Sequence, residues 1–284
     1  MNLSKKKAVI CMIACYMLWG FQPLFWQLDE SFDAMFLLAS RAVSAGVWCL
    51  GLLFLSGRLS TLRSVFSTPK LMLREVFAAL FLMGDWFVFL WAVRNAKVME
   101  ASVGYYIQPL VVFVFGAVLF REKLKRFHYL ALGVIGLGVA LLAFALGHLP
   151  WVSICLALLF AVYAAIKKSL TIDSLISTSL EIFLMVPFML GYLLFSKQTV
   201  SLDFGKLLFL IGAGAVTAAP MFLYAISISN LPLSLVGLSQ YISPTLGILC
   251  SLILHEEITL LRVISILVVW CGVLIYLRGT RKAV

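Results

Sequence analysis

The chain has 284 residues, 63% of them hydrophobic and only 12% charged, with a mean hydropathy of +1.10. That balance excludes a soluble domain of this length and makes the chain an integral membrane protein. The net charge of +10 does not signal a nucleic-acid binder, because the basic residues fall in short clusters between apolar runs and form no continuous stripe.

A helix rises about 1.5 Å per residue, so about 20 apolar residues are needed to cross a hydrocarbon core about 30 Å thick. Apolar runs between charged or turn-rich breaks predict ten such spans, near 8–28, 33–56, 73–94, 98–120, 127–147, 150–168, 175–195, 206–227, 233–254 and 260–278. The expected fold class is therefore an all-α membrane protein. The first run follows Lys5, Lys6 and Lys7 and resembles a signal peptide. Its apolar stretch continues through Phe25 and Trp26 with no small-x-small cleavage site, so the span is expected to be retained. Cys11, Cys15, Cys49, Cys155, Cys250 and Cys271 all lie in apolar runs without C-x-x-C spacing. They read as small buried hydrophobes rather than metal ligands or disulfides.

Short cytoplasmic loops carry an excess of Lys and Arg. With the N-terminus inside, sixteen of the 22 cations fall in inner segments, including the clusters Lys5–Lys7, Arg121–Arg126 and Lys167–Lys168. Five, Arg94, Lys97, Lys197, Lys206 and Arg262, fall in outer loops, and Arg41 sits within a span. Both termini are expected in the cytoplasm.

The segment YIQPLVVFVFGAVLFRE at 106–122 resembles YISPTLGILCSLILHEE at 241–257, with Glu122 falling on Glu257. LWAV at 90–93 aligns with LYAI at 223–226, and Trp19-Gly20 with Tyr163-Ala164. The shared order and near-constant shift indicate a duplicated unit of five spans, 1–147 and 148–284. An odd number of spans inverts the second copy, and inverted repeats place substrate sites near the midplane between them. Pro109 and Pro244 lack an N–H and free the carbonyls of Tyr105 and Gln240. These lie beside Tyr106, Gln108, Gln240 and Tyr241, which become candidate cavity residues.

Arg41, Asp85 and Glu181 lie well inside spans, where each Arg or Asp costs about 2.5–3.5 kcal/mol on an insertion scale. They are expected to face protein or a water-filled path. Counting along the helices puts Arg41 roughly 12 Å below the outer edge and Asp85 roughly 18 Å above the inner one, nearly the same height. Three readings of Asp85 stay open: an ion pair with Arg41, a proton or substrate contact, or a protonated hydrogen bonder. Glu181 is the approximate repeat counterpart of Arg41 and carries the opposite charge. Trp151 reads as an interfacial anchor, and the deeper Trp19, Trp86 and Tyr163 as candidate cavity walls.

The sequence has no G-x-x-x-x-G-K-[ST] loop for ATP, and the glycines of GVIGLGVALL from 133 suit helix packing rather than a nucleotide. His128, His148 and His255 lack HExxH spacing, and no nucleophile, base and acid group together. No metal, cofactor or enzymatic activity is expected.

The segments YMLWGFQPLFW from 16, SRAVSAGVW from 40, GDWFVFLWAVRNAKVMEASVGYYIQPLV from 84, LPWVSICLALLFAVYAAIKKSL from 149 and VTAAPMFLYAISISNLPLSLVGLSQYISPTL from 216 resemble the RarD branch of the EamA family, in the drug/metabolite transporter superfamily. The resemblance implies a ten-helix basket of two inverted five-helix repeats in a bacterial inner membrane, moving small molecules without ATP. Such proteins often carry Asn where this chain has Asp85 and Gln108. The expected function is a secondary transporter exporting amino-acid-like or amphipathic metabolites, with membrane lipid around it and proton coupling as an option. The alternatives are a drug permease of chloramphenicol type and a membrane-embedded sensor or enzyme.

Overall fold

A computed structural model describes residues 4–29, 31–95, 97–144, 147–196, 203–255 and 259–281. Lys197 and Glu257, used in the sequence arguments above, lie outside them. The described residues form the helices α1 (Lys5–Trp26), α2 (Ala34–Leu55), α3 (Leu59–Phe66), α4 (Pro69–Arg94), α5 (Val98–Leu119), α6 (Arg126–Phe144), α7 (Trp151–Ser169), α8 (Ser174–Phe195), α9 (Phe204–Asn230), α10 (Leu233–Ser239), α11 (Ile242–Ile253) and α12 (Leu260–Arg281). Among them lie ten spans long and apolar enough to cross a membrane, the ninth running over α10 and α11 together, Leu233–Ile253. The protein is all-α.

The helices group into two compact units, Met1–Met83 with Ile166–Leu231, and Gly84–Ala165 with Pro232–Val284. Helices α4 and α7 run from one unit into the other.

In the first unit α2 packs on both α8 and α9, and α9 also packs on α1. Lipid is as apolar as these side chains, so association depends on close packing and small residues. Gly214 of α9 shows this, since a Cβ there would lie 2.6 Å from the Ala45 nitrogen of α2. The helices start on side-chain caps: Asp33 accepts from Met35 N at 2.9 Å, Asp173 from Leu175 N at 3.0 Å, and Asp203 from Lys206 N at 2.8 Å. Lys168 closes α9 by donating to the carbonyls of Ile228 and Leu231 at 2.8 and 2.5 Å. The segment after α2, read as a loop from sequence, contains α3. Its Leu62 and Val65 pack against Leu53, Ile176 and Leu180, an amphipathic helix held by one apolar face.

In the second unit α12 packs along α6, and α10 along α5. A Cβ on Gly272 would lie 2.9 Å from the Ala131 carbonyl, so α6 and α12 touch backbone to side chain. Phe113, Ile135, Val269 and Tyr276 fill the core between them. The Glu122 carboxylate accepts from Leu233 N at 2.5 Å and Ser234 N at 3.0 Å, capping α10 from the far end of α5. Glu100 does the same for α7, accepting from Val152 N at 3.4 Å while paired to Lys97 at 2.8 Å. Trp151 stands half-exposed beside Trp91, with the Lys97 ammonium 5.4 Å from its ring centroid.

The two Tyr-Ile-x-Pro segments differ in backbone. Helix α5 continues through Pro109, whereas the ninth span breaks at Gln240–Tyr241. There the chain tightens into i→i+3 bonds, Gln240 N to Gly237 O at 3.1 Å and Ser243 N to Gln240 O at 3.1 Å. The Gln240 carbonyl, expected to be freed by Pro244, is therefore satisfied by its own turn.

The cysteine expectation needs correction too. Cys15, Cys49 and Cys250 are buried, but Cys11 and Cys155 are half-buried and Cys271 is exposed.

Candidate functional site

In the first unit α7 ends inside protein. Lys167, counted from sequence among the inner-loop cations, is helical and 2% exposed. Its ammonium donates to Glu181 Oε1 at 2.7 Å, Ser177 Oγ at 2.7 Å and Thr178 Oγ1 at 3.3 Å. An ammonium has three donors, and these three bonds use them all. Ser177, Thr178 and Glu181 lie within one turn of α8, which begins at the Asp173 cap, so the cap fixes the register that aims all three at Lys167. Arg58 binds Asp173 at 2.6 Å and anchors that end of α8.

Glu75 of α4 joins this cluster. Its side chain is fully buried, within electrostatic reach of Lys167 and Glu181 and near the Ser177 hydroxyl as a donor. Neither carboxylate oxygen has a well-formed hydrogen bond among the described residues. Cys49 of α2 lies close to Lys167 and Ser179. Sequence reasoning missed both Glu75 and Lys167. Glu75 lies two residues inside the predicted third span, and the pair Lys167-Lys168 reads as one basic loop. The available signal was the helical angle between adjacent residues, about 100°, which turns the two lysines to different faces.

The other first-unit candidates are Trp19 and Arg41. Trp19 forms an aromatic group with Tyr16 and Tyr224, with ring centroids 5.8 and 5.5 Å from the Trp19 ring. Tyr224 also lies within electrostatic reach of Glu181, linking the aromatic group to the charged one. One turn along α1, Gln22 Nε2 donates to Val216 O at 2.9 Å. That is the carbonyl Pro220 leaves without its helical partner. Arg41 lies with its guanidinium 5.4 Å from the Trp26 ring centroid, a cation–π contact.

In the second unit Asp85 is 5% exposed, and its Oδ1 has no hydrogen-bond partner among the described residues. Cys155 of α7 is its electrostatic neighbour, and Trp86 beside it is half-buried. Gln108 and Gln240 are also buried, each with an Oε1 that lacks a partner among the described residues. Tyr241 and Tyr106 are brought together, the Tyr241 hydroxyl donating to Tyr106 O at 3.0 Å. Arg262 Nε donates to the Tyr106 hydroxyl at 3.4 Å. Tyr163 is buried against Phe160, with ring centroids 5.5 Å apart. Arg41 and Asp85 belong to different units.

A crevice of about 580 Å³ in the first unit holds none of these residues. It is lined by apolar side chains such as Val43, Val47, Leu52 and Leu210. Of its polar groups, Ser44 and Trp48 donate to Ile211 O, and Ser40 also lines it.

Ten apolar spans carrying buried charges and amides define a multi-pass membrane protein in which the polar groups line a path or pair with one another. Residues 6–144 and 150–278 match the EamA-like transporter family, and the chain belongs to it. The chain is 35% identical to the uncharacterized transporter YojE of Bacillus subtilis, covering 97% of this chain and 95% of that one. It is 34% identical to the protein RarD of Streptomyces exfoliatus, covering 94% and 88%. A solved crystal structure superposes with a TM-score of 0.75 at 20% identity, covering 96% of this chain and 98% of that one, which shows the fold. The chain is thus a RarD-branch, non-ATP transporter of small molecules in the bacterial inner membrane, and not an enzyme.

Proposed function

We propose that the protein exports small amino-acid-like or amphipathic metabolites by alternating access. In this reading the chain is two inverted five-helix repeats, 1–147 and 148–284, with both termini in the cytoplasm. The charge asymmetry supports that orientation even after Lys167 leaves the inner-loop count, at fifteen cations against five.

One observation carries the substrate class. Asp85 Oδ1, Gln108 Oε1 and Gln240 Oε1 are buried acceptors without a donor among the described residues. An unsatisfied buried acceptor costs about 1–3 kcal/mol, so a solute that brings N–H or O–H donors gains by meeting one. An ammonium group is the strongest such donor for a carboxylate. Trp86, Tyr106 and Tyr241 supply aromatic surface next to these acceptors in the chain, Tyr163 is a further candidate wall of the same unit, and Trp19 is a candidate wall in the first unit. In the first unit Arg41 is a charged candidate for substrate contact, and Glu181, bonded to Lys167, is a candidate for coupling.

A drug permease of chloramphenicol type is the second reading, favoured by the aromatic group around Trp19, which suits a ring-bearing solute. Untargeted metabolite profiling of media from cells with and without the protein separates the two. Enrichment of amine-bearing metabolites supports the first reading. Unchanged media together with protection from chloramphenicol supports the second.

A further inference from the structure

We propose that Glu75 is a proton-carrying carboxyl that takes up and releases the coupling proton, with the Lys167–Glu181 pair setting when it can do so. The proposal deepens the transporter reading and rests on it.

Charge and donor supply single out Glu75. Two carboxylates, Glu75 and Glu181, surround one ammonium, Lys167. The ammonium commits all three donors to Glu181, Ser177 and Thr178, leaving none for Glu75. As an anion, Glu75 would be a fully buried charge beside a carboxylate of like sign, with the neutral Ser177 hydroxyl as the one side-chain donor near it among the described residues. Two carboxylates sharing one site cannot both ionise cheaply, and the partner already bonded to the ammonium keeps the charge. Glu75 therefore holds a proton in this conformation.

Among the described side chains, Lys167 is the cation within electrostatic reach of Glu75. Lys70 and Arg74 on the same helix are exposed. From α2 the cluster meets Cys49, from α7 Lys167, from α8 Glu181, and from α9 Tyr224, which lies near Glu181. Loss of the proton breaks the Glu75 O–H bond, leaves the electron pair on the carboxylate and passes the proton to water. That step needs water at the cluster or a shift of Lys167 toward Glu75. Protonation is thereby tied to conformation, which is what coupling requires.

Infrared difference spectroscopy across pH steps, on the full chain in lipid bilayers, tests this without any transported solute. Asp85 is a second buried carboxyl whose Oδ1 lacks a donor among the described residues, so the spectra are taken in an Asp85→Asn background. The expected result there is a protonated-carboxyl C=O band that disappears as pH rises and is lost when Glu75→Gln is added. Glu75→Asp guards against a Gln variant that fails to fold, because it keeps the carboxyl and should shift the band or its pH midpoint. In the Asp85→Asn background, a band that persists when Glu75→Gln is added, or that does not move when Glu75→Asp is added, overturns the proposal. A liposome panel in which no solute moves would instead remove the transporter reading, and the band would still report on Glu75.

Discussion

Lys167 and Glu181 form an ion pair of 2.7 Å whose side chains are 2% and 0% exposed, at the point where α7 meets the first turns of α8. Two charges that sequence reasoning assigned to a loop and to a lone intramembrane acid are one buried unit.

Removing one partner leaves an uncompensated charge in a water-poor site. Lys167→Met should destabilise the protein by about 3–5 kcal/mol, whereas replacing both members with apolar residues is often close to neutral. The double variant Lys167→Met with Glu181→Met should therefore recover most of the loss. Thermal unfolding of both in detergent measures it.

Packing between α2 and α9 gives a second expectation. Gly214→Ala puts a methyl 2.6 Å from the Ala45 nitrogen and must push the helices apart, at about 1–3 kcal/mol. Gly51→Ala, on the same α2, meets nothing within 4 Å and should be neutral or mildly stabilising. Unfolding temperatures of the pair compare the two directly.

Gln22 and Pro220 should couple. Gln22→Leu leaves the Val216 carbonyl unsatisfied and should cost about 1–3 kcal/mol. Pro220→Ala restores an N–H that can bond the same carbonyl, so Gln22→Leu should cost far less in that background. A double-mutant cycle reads the difference.

The ten spans were legible because apolar length alone marks a membrane crossing, and the helix ends fell within a few residues of the predicted ones. Individual buried acids were also legible where they stood more than a turn inside a predicted span, as Asp85 and Glu181 do. Partnership was not. Whether Glu181 meets Lys167, or Trp19 meets Tyr224, depends on which helix faces pack, and spacing along one helix carries no information about its neighbour. The break at Gln240–Tyr241 was half legible: Pro244 marked the place, but Pro109 in the matching segment leaves α5 continuous. Tertiary support, not the proline alone, decides between a kink and a break.

Asp85 offers an acceptor, and that property outlasts its charge. Asp85→Asn should keep transport within a few-fold of wild type, because the amide oxygen still accepts a donor. Asp85→Leu removes the acceptor and should weaken apparent affinity about tenfold or more, the equivalent of about 1.4 kcal/mol. Initial rates against solute concentration, for the first solute found to move, separate the two variants.

The most direct measurement is uptake and efflux by the purified protein in sealed liposomes, with a panel spanning amino acids, small amines and chloramphenicol, with and without a pH gradient. The account predicts that at least one donor-bearing solute crosses faster than in protein-free liposomes, and that Asp85→Leu slows it. A panel in which no solute moves in either direction, under either gradient, would contradict it.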